Sequence, residues 1–262
     1  MNEKIKDEFS ALVDTVRILR GPNGCPWDKE QTHDSLKKFA IEETYEVVDA
    51  IESGDPKLIE DELGDLMLQI LLHAQIAEEC GDFNIADVCK RLREKLQRRH
   101  PHVFSGIEVS GIDEIWKNWE AIKKSEPGYD ERKSALDGVP NHLPALMKAA
   151  KISKKAAKTG FDWPNISSVM DKLREEMAEL EEAIDSNDRE HISNEIGDML
   201  FTLVNIARFM DIDPEQSLRD MLERFRSRFQ SIEKHAIENG KMINEMTIEE
   251  MDMVWDKCKQ GK

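Results

Sequence analysis

The chain has 262 residues, with 37 lysines and arginines against 54 aspartates and glutamates, a formal net charge of −17. That balance argues against a sequence-independent grip on a nucleic-acid backbone or an anionic membrane, and leaves room for a small anionic ligand held by a metal or a local basic cluster. The length suffices for one large domain or two ordinary ones, and 35% charged residues, 6% aromatics and abundant Glu, Lys, Leu, Ala and Met point to a mostly helical protein.

The N-terminal segment "MNEKIKDEFSALVDTVRILRG" is charged throughout and has no signal-peptide core. No later run reaches the roughly 18 apolar residues of a membrane span, so a cytoplasmic protein without a membrane partner is expected. A loop rich in turn formers follows, "GPNGCPWDKEQTH" at 21–33. Its Cys25, with Cys80, Cys89 and Cys258, forms neither a CxxC pair nor a zinc spacing, so reduced thiols are expected. A first acidic helix then carries "EETYEVVDAI", with Glu43 and Glu46 one turn apart on one face. In "SGDPK", Gly54 ends that helix, Asp55 caps the next and Pro56 occupies its first turn. The second acidic helix opens with "DELGDLM", which sets Glu62 and Asp65 three apart around Gly64, before the apolar run "LQILLHAQIA" with His73, read as a core residue. Both Glu46/Glu62 and Glu43/Asp65 average to position 54, so an antiparallel hairpin makes each pair level. At 1.5 Å per residue they sit roughly 12 and 16 Å from the turn. A basic segment with Arg91, Arg93 and Lys95 and the Trp119 stretch "KNWEAIKK" complete this half.

The segment "SEPGYDERKSALDGVPNHLP", 125–144, has linker composition. The expected division is a first domain over 1–125, a linker over 126–144 and a second domain over 145–262. The second repeats the first: at an offset of 133, residues 42–65 lie over 175–198 with 11 of 24 positions identical and no gap. The quartet recurs as Glu176, Glu179, Glu195 and Asp198, with Gly197 in place of Gly64, and the basic segment as Arg224, Arg226 and Arg228. "GFDWPN" at 160–165 precedes this repeat, Lys172 lies one turn before Glu176, and Trp255 matches Trp119 with a three-residue slip. From Met199 the helix "MLFTLVNIARFM" is apolar on nearly every side, so it is expected to be buried with its leading carboxylates inward. A glycine inside such a helix costs about 1 kcal/mol relative to alanine. Its expected benefit is close approach of a helix or ligand beside the carboxylates.

Four converging carboxylates repel by several kcal/mol per pair at an effective dielectric near 20, roughly, and a hard divalent cation relieves this. All-oxygen ligation favours Mg²⁺, with Mn²⁺ a substitute. A solvated acidic face is the bland alternative, and the level, repeated pairs argue against it. Ferritin-like di-iron sites use Glu-x-x-His, whereas the third positions here are Glu46, Asp65, Glu179 and Asp198. Arg224 and Arg228, four apart on one face, suit a polyphosphate, and Trp255 offers a flat face for a base, with core packing as its other role. No GxxxxGK[ST] or GxGxxG loop is present.

The stretches "GCPWDKEQTH", "EETYEVVDAI", "DELGDLMLQ", "RRHPHVF", "LPALMKAAKISKKAAKTGFDW" and "EEMAELEEAI…NEIGDMLF" together resemble the MazG family of nucleoside triphosphate pyrophosphohydrolases over nearly the whole chain. The resemblance implies an all-α homodimer with two tandem helical domains in four-helix-bundle-type assemblies. It implies Mg²⁺-dependent hydrolysis of NTPs and dNTPs at the α–β phosphate bond to monophosphate and pyrophosphate, in nucleotide-pool house-cleaning or regulation. By the family motif, Glu176, Glu179, Glu195 and Asp198 of the second domain would bind the metal and carry catalysis. Lys172, Glu175, His191, Asn194 and Asp198 would line the substrate pocket, with Arg224 and Arg228 on the phosphates and Trp255 on the nucleotide. Glu43, Glu46, Glu62 and Asp65 form a second possible metal site. Two alternatives stay open: a binding-only regulatory helical dimer, and a helical pyrophosphatase with a narrow substrate.

Overall fold

The computed structural model describes residues 3–126 and 133–260, and every regular element among them is helical. Contacts divide the chain into two compact units, residues 1–127 and 128–262, each described by itself. Of the segment expected as linker, 127–132 lie outside the described residues, and the next helix begins at Ala145.

In unit 1 the helices are α1 (Glu3–Arg20), α2 (Pro26–Glu30), α3 (His33–Ser53), α4 (Pro56–Cys80), α5 (Ile85–Arg99), α6 (Pro101–Phe104) and α7 (Ile112–Lys124). The α3–α4 hairpin forms where the turn residues dictate. Gly54 closes α3 in the left-handed conformation at φ 70°, which strains an L side chain, and the Asp55 carboxylate accepts from the Lys57 amide at 2.9 Å to start α4. Val16 of α1, Leu36 of α3 and Leu71, Leu72 and Ile76 of α4 make the core. Arg20 then locks α1 in place: its guanidinium donates to Glu79 of α4 at 2.9 and 2.8 Å and to the carbonyls of Asp28 and Gln31. Beyond α4, Arg98 and Arg99 of α5 converge on Glu126 just after α7. The Arg99 hydrogen bond, aided by Arg98, holds that carboxyl down to about 2.

In unit 2 the helices are α8 (Ala145–Ala157), α9 (Ile166–Ser186), α10 (Arg189–Phe209), α11 (Pro214–Glu238) and α12 (Ile248–Gln260), with a 3₁₀ turn at Ile243–Glu245. The hairpin recurs in α9–α10 with different residues doing the same work. Asn187 takes the left-handed position at φ 54°, and Asp188 accepts from the amides of Glu190 at 3.0 Å and His191 at 3.2 Å. α8 packs on α10 through a buried polar knot. There Ser153 donates to the side-chain Oδ1 of Asn205, and Asn205 Nδ2 donates to the Phe201 main-chain carbonyl at 2.9 Å. Arg208 reaches the same Asn205 oxygen at 3.3 Å, and its other nitrogens hold Asp162 of the GFDWPN loop at 3.0 and 2.5 Å. A second core, Ile232, Ala236, Met246 and Val254, joins α11 to α12, with Trp255 against it.

The expectation that the apolar helices are buried on every side needs correction. Leu63, Met67 and Ile70 of α4 and Ile196, Leu200 and Leu203 of α10 are each 40 to 49% exposed. These are the same positions in the two units at the offset of 133. Gly64 and Gly197 likewise face open space, since an added Cβ would meet nothing within 4 Å. The close approach that would justify them is therefore not made within a single unit. Each hairpin buries its inner side and leaves a second apolar stripe outward.

The polar knot yields a stability prediction. Asn205→Ala leaves the Ser153 hydroxyl without its acceptor and Arg208 with only Asp162, at about 1–3 kcal/mol for each buried group orphaned. In urea the unfolding midpoint is expected to fall with little change in slope, and an unchanged midpoint would contradict the role given to the knot.

Candidate metal and substrate site

The strongest site lies midway along the α9–α10 hairpin. Glu176 and Glu195 are 4% and 8% exposed, and one oxygen from each of Glu176, Glu179 and Glu195 lies within 4.8 Å of the others. Helix spacing puts Glu176 and Glu179 on one face of α9, and the hairpin brings Glu195 across to them. Two basic groups support these carboxylates from the outside. Lys172 stands 2.6 Å from Glu175 and 2.9 Å from Glu176, and those hydrogen bonds hold its ammonium above the usual lysine range. His191 Nε2 lies 3.1 Å from Glu195 Oε1. Burial pushes the Glu179 carboxyl up against the opposing pull of Lys172, with Glu176 and Glu195 adding to the rise.

One atom has no partner at all. Glu195 Oε2 is buried without a hydrogen-bond donor among the described residues. A buried carboxylate oxygen left in that state is costly unless something positive meets it. The donor set is all oxygen, the trio is compact, and the orphan is an acceptor that a cation would satisfy, so these residues fit Mg²⁺ or Mn²⁺.

Asp198 is placed differently from its partners: it is exposed and outside the trio. Asn194 is exposed near the start of α10. Arg224 on α11 is exposed and forms no ion pair among the described residues, whereas Arg228 is half-buried with its guanidinium 5.3 Å from the Trp255 ring centroid. Phe225 meets Trp255 edge-on at 5.3 Å. Trp255 thus belongs to the α11–α12 core and also holds a phosphate-binding candidate in position. Trp119 plays a related part in unit 1, with Arg99 rather than Lys95 over its ring at 5.3 Å.

Unit 1 gathers a different three of its four acids: Glu43, Glu62 and Asp65 lie within 4.8 Å of one another. Glu46 is exposed and outside this trio. Burial pushes Glu43 up, with Asp65 and Glu46 adding, and burial pushes Glu62 up with Glu46 and Asp65 adding. His73 is paired, its Nδ1 2.7 Å from that of His33. Sequence reasoning passed over Gln69, whose Nε2 donates to Glu43 Oε1 at 3.4 Å. The available signal was a polar residue inside an apolar run, four after Asp65 and so on its face.

With this geometry in view, the comparisons with known proteins are decisive. A family model described as the MazG nucleotide pyrophosphohydrolase domain matches residues 31–104 and 165–232. The chain belongs to the MazG family. Each match contains one carboxylate hairpin and the basic helix after it, all of α5 in the first and α11 as far as residue 232 in the second. A similar protein of Thermotoga maritima, named nucleoside triphosphate pyrophosphohydrolase/pyrophosphatase MazG, is 44% identical over 97% of this chain and 96% of its own length. The nucleoside triphosphate pyrophosphohydrolase of Escherichia coli (strain K12) is 40% identical over 97% and 98%. The uncharacterized protein YabN of Bacillus subtilis is 50% identical over 97% of this chain, which spans 52% of that protein.

The raised carboxyls give a pH prediction. A carboxyl whose folded pKa lies above its unfolded value opposes folding when ionised, and that opposition disappears as pH falls through the folded pKa. Glu43, Glu62 and Glu179 are all raised. These three groups are therefore expected to favour the folded state as pH falls toward the ordinary carboxylate range, whereas His73, whose pKa burial lowers, works the other way. Glu43→Gln/Glu179→Gln isolates the carboxyls: metal-free, it is expected to melt above the wild type at neutral pH with the gap closing as pH falls, and a gap that does not change with pH would count against it.

Proposed function

We propose that unit 2 of this MazG-family enzyme hydrolyses NTPs and dNTPs at the α–β phosphate bond, releasing nucleoside monophosphate and pyrophosphate with Mg²⁺ as cofactor. The observation that carries the reading is the orphaned Glu195 Oε2 in a buried trio whose other supports are already basic. Glu176, Glu179 and Glu195 would hold the cation, with exposed Asp198, one turn after Glu195, as the carboxylate left at the mouth. When bound, the cation would supply positive charge to phosphate oxygens and make a nearby water more acidic. Lys172 and His191 contact these carboxylates, and their N–H groups would be available to phosphate oxygens when the trio holds a cation. Arg224 and Arg228 suit the remaining phosphates, and Arg228 is pre-positioned on Trp255. Among the described residues no helix is long and apolar enough to cross a membrane, which fits a role in the nucleotide pool.

The same reading includes a homodimer. The exposed stripes Leu63, Met67, Ile70 and Ile196, Leu200, Leu203 run beside Gly64 and Gly197, where a helix of a second copy can approach closely. Burying such half-exposed side chains contributes about 1 kcal/mol each. Leu200→Glu with Leu203→Glu is expected to shift the solution mass from dimer to monomer in light scattering, and a mass unaltered by the pair would remove this part of the proposal.

Turnover tests the chemistry directly. Purified protein with Mg²⁺ and a panel of NTPs and dNTPs should give monophosphate and pyrophosphate in equal amounts, and diphosphate with orthophosphate would refute the assignment. Glu176→Gln or Glu195→Gln is expected to lower kcat by about 100-fold or more while circular dichroism stays helical.

A further inference from the structure

Unit 2 opens a second cavity where α8 passes the turn between α10 and α11. Its volume is about 490 Å³, within the range of small-molecule sites. It is separate from the carboxylate trio, because Arg208 in its wall follows Glu195 by 13 residues on α10, roughly 20 Å along the helix. In unit 1 the same place, between the first helix, the second hairpin helix and the helix after it, is filled by Val13, Val16 and Ile85 and leaves only about 10 Å³. The opening therefore comes from the side chains of unit 2 and not from the helical arrangement the units share.

The walls of this cavity differ in chemistry. α8 presents Met147, Ala150, Lys151 and Lys154, whose spacing sets them on one helical face. Both lysines are exposed, and neither forms an ion pair among the described residues. Arg208 is already held by Asp162 and Asn205, so the uncommitted positive charge is that of the lysines. Opposite them, Ile212 and Pro214 make an apolar wall. Asp211 sets an exposed carboxylate at the rim. It takes the left-handed conformation, φ 53°, that Gly81 takes at φ 77° in the matching turn of unit 1. Asp213, the other acid, is committed to the amides of Glu215 and Gln216.

Two ammoniums one helical turn apart can bracket a single dianionic phosphate. A triphosphate would bring further negative charge toward Asp211 and Asp213 and be repelled. Met147, Ile212 and Pro214 suit a flat ring, the methionine through its polarizable sulfur. The Asp211 carboxylate accepts from hydroxyl or amino groups. One phosphate, one ring and such donors, in a molecule of this size, describe a nucleoside monophosphate.

We infer that this cavity binds a nucleoside monophosphate, with Lys151 and Lys154 on the phosphate, Met147, Ile212 and Pro214 around the base, and Asp211 on the ribose hydroxyls or the base amine. Binding here does not depend on the reaction proposed above, although that reaction would release the same class of molecule.

The test titrates AMP into the full-length chain by isothermal titration calorimetry in EDTA, so that no divalent cation can hold a phosphate at the trio. One AMP per chain is expected to bind. Lys151→Glu/Lys154→Glu, at two exposed positions, should weaken it by about 10-fold or more with the helical signal unchanged. Ile212→Ser should weaken AMP and leave the poorer binding of inorganic phosphate as it was. Arg224→Ala/Arg228→Ala, which strips the phosphate contacts of the proposed catalytic site, should leave AMP affinity unchanged. No AMP bound, affinity untouched by the lysine pair, or affinity lost with the arginine pair would each overturn the inference. Inorganic phosphate bound as tightly as AMP would also overturn it, reducing the cavity to an unselective anion patch. AMP bound as expected by a chain that turns over nothing on the NTP panel would support this site and strike the proposed function alone.

Discussion

Like charges held together inside a hairpin are the constraint around which both units are organised. Glu176, Glu179 and Glu195 share one small volume in unit 2, as do Glu43, Glu62 and Asp65 in unit 1. Left to themselves such groups would splay into water or take up protons. They stay together because the hairpins are fixed by features that owe nothing to them: a left-handed cap, an aspartate at the next helix start, and apolar packing on the far side. The scaffold thus stores an electrostatic demand, and that demand is what makes the centre able to take a cation.

How each unit meets the demand separates the two copies. In unit 2, Lys172 and His191 contact the buried carboxylates of Glu176 and Glu195. In unit 1 those positions are Phe39 and Leu58, and the supporting side chain is the neutral Gln69. Duplication preserved the acids and the turn while the surrounding charge diverged. Family membership follows from both copies together, and the copies differ in the few residues around the acids.

The outward stripes show a second consequence of the same helices. A helix that carries carboxylates on one side and apolar residues on nearly all others cannot satisfy itself within one hairpin. Leu63, Met67 and Ile70, and their repeats Ile196, Leu200 and Leu203, remain half-exposed, beside glycines that touch nothing. The apolar run in the sequence led to an expectation of burial that a single hairpin meets only on its inner side, because composition carries no information about which surface covers a residue.

The sequence by itself determined the helical class, the duplication, the turn at Gly54 and Asp55, and the acids that line each hairpin. These depend on local rules: helical rise, capping and residue spacing act over a few positions and can be counted along the chain. Only the tertiary structure decided that Asp198 and Glu46 stand outside their trios, that Glu195 Oε2 and Gln69 Oε1 are left without donors, and that Arg208 joins Asn205 to Asp162 across α10 and the preceding loop. Level position along two helices fixes how far each Cα lies from the turn. Which side chains then meet depends on rotamers and on desolvation by residues distant in sequence, and spacing alone does not encode either.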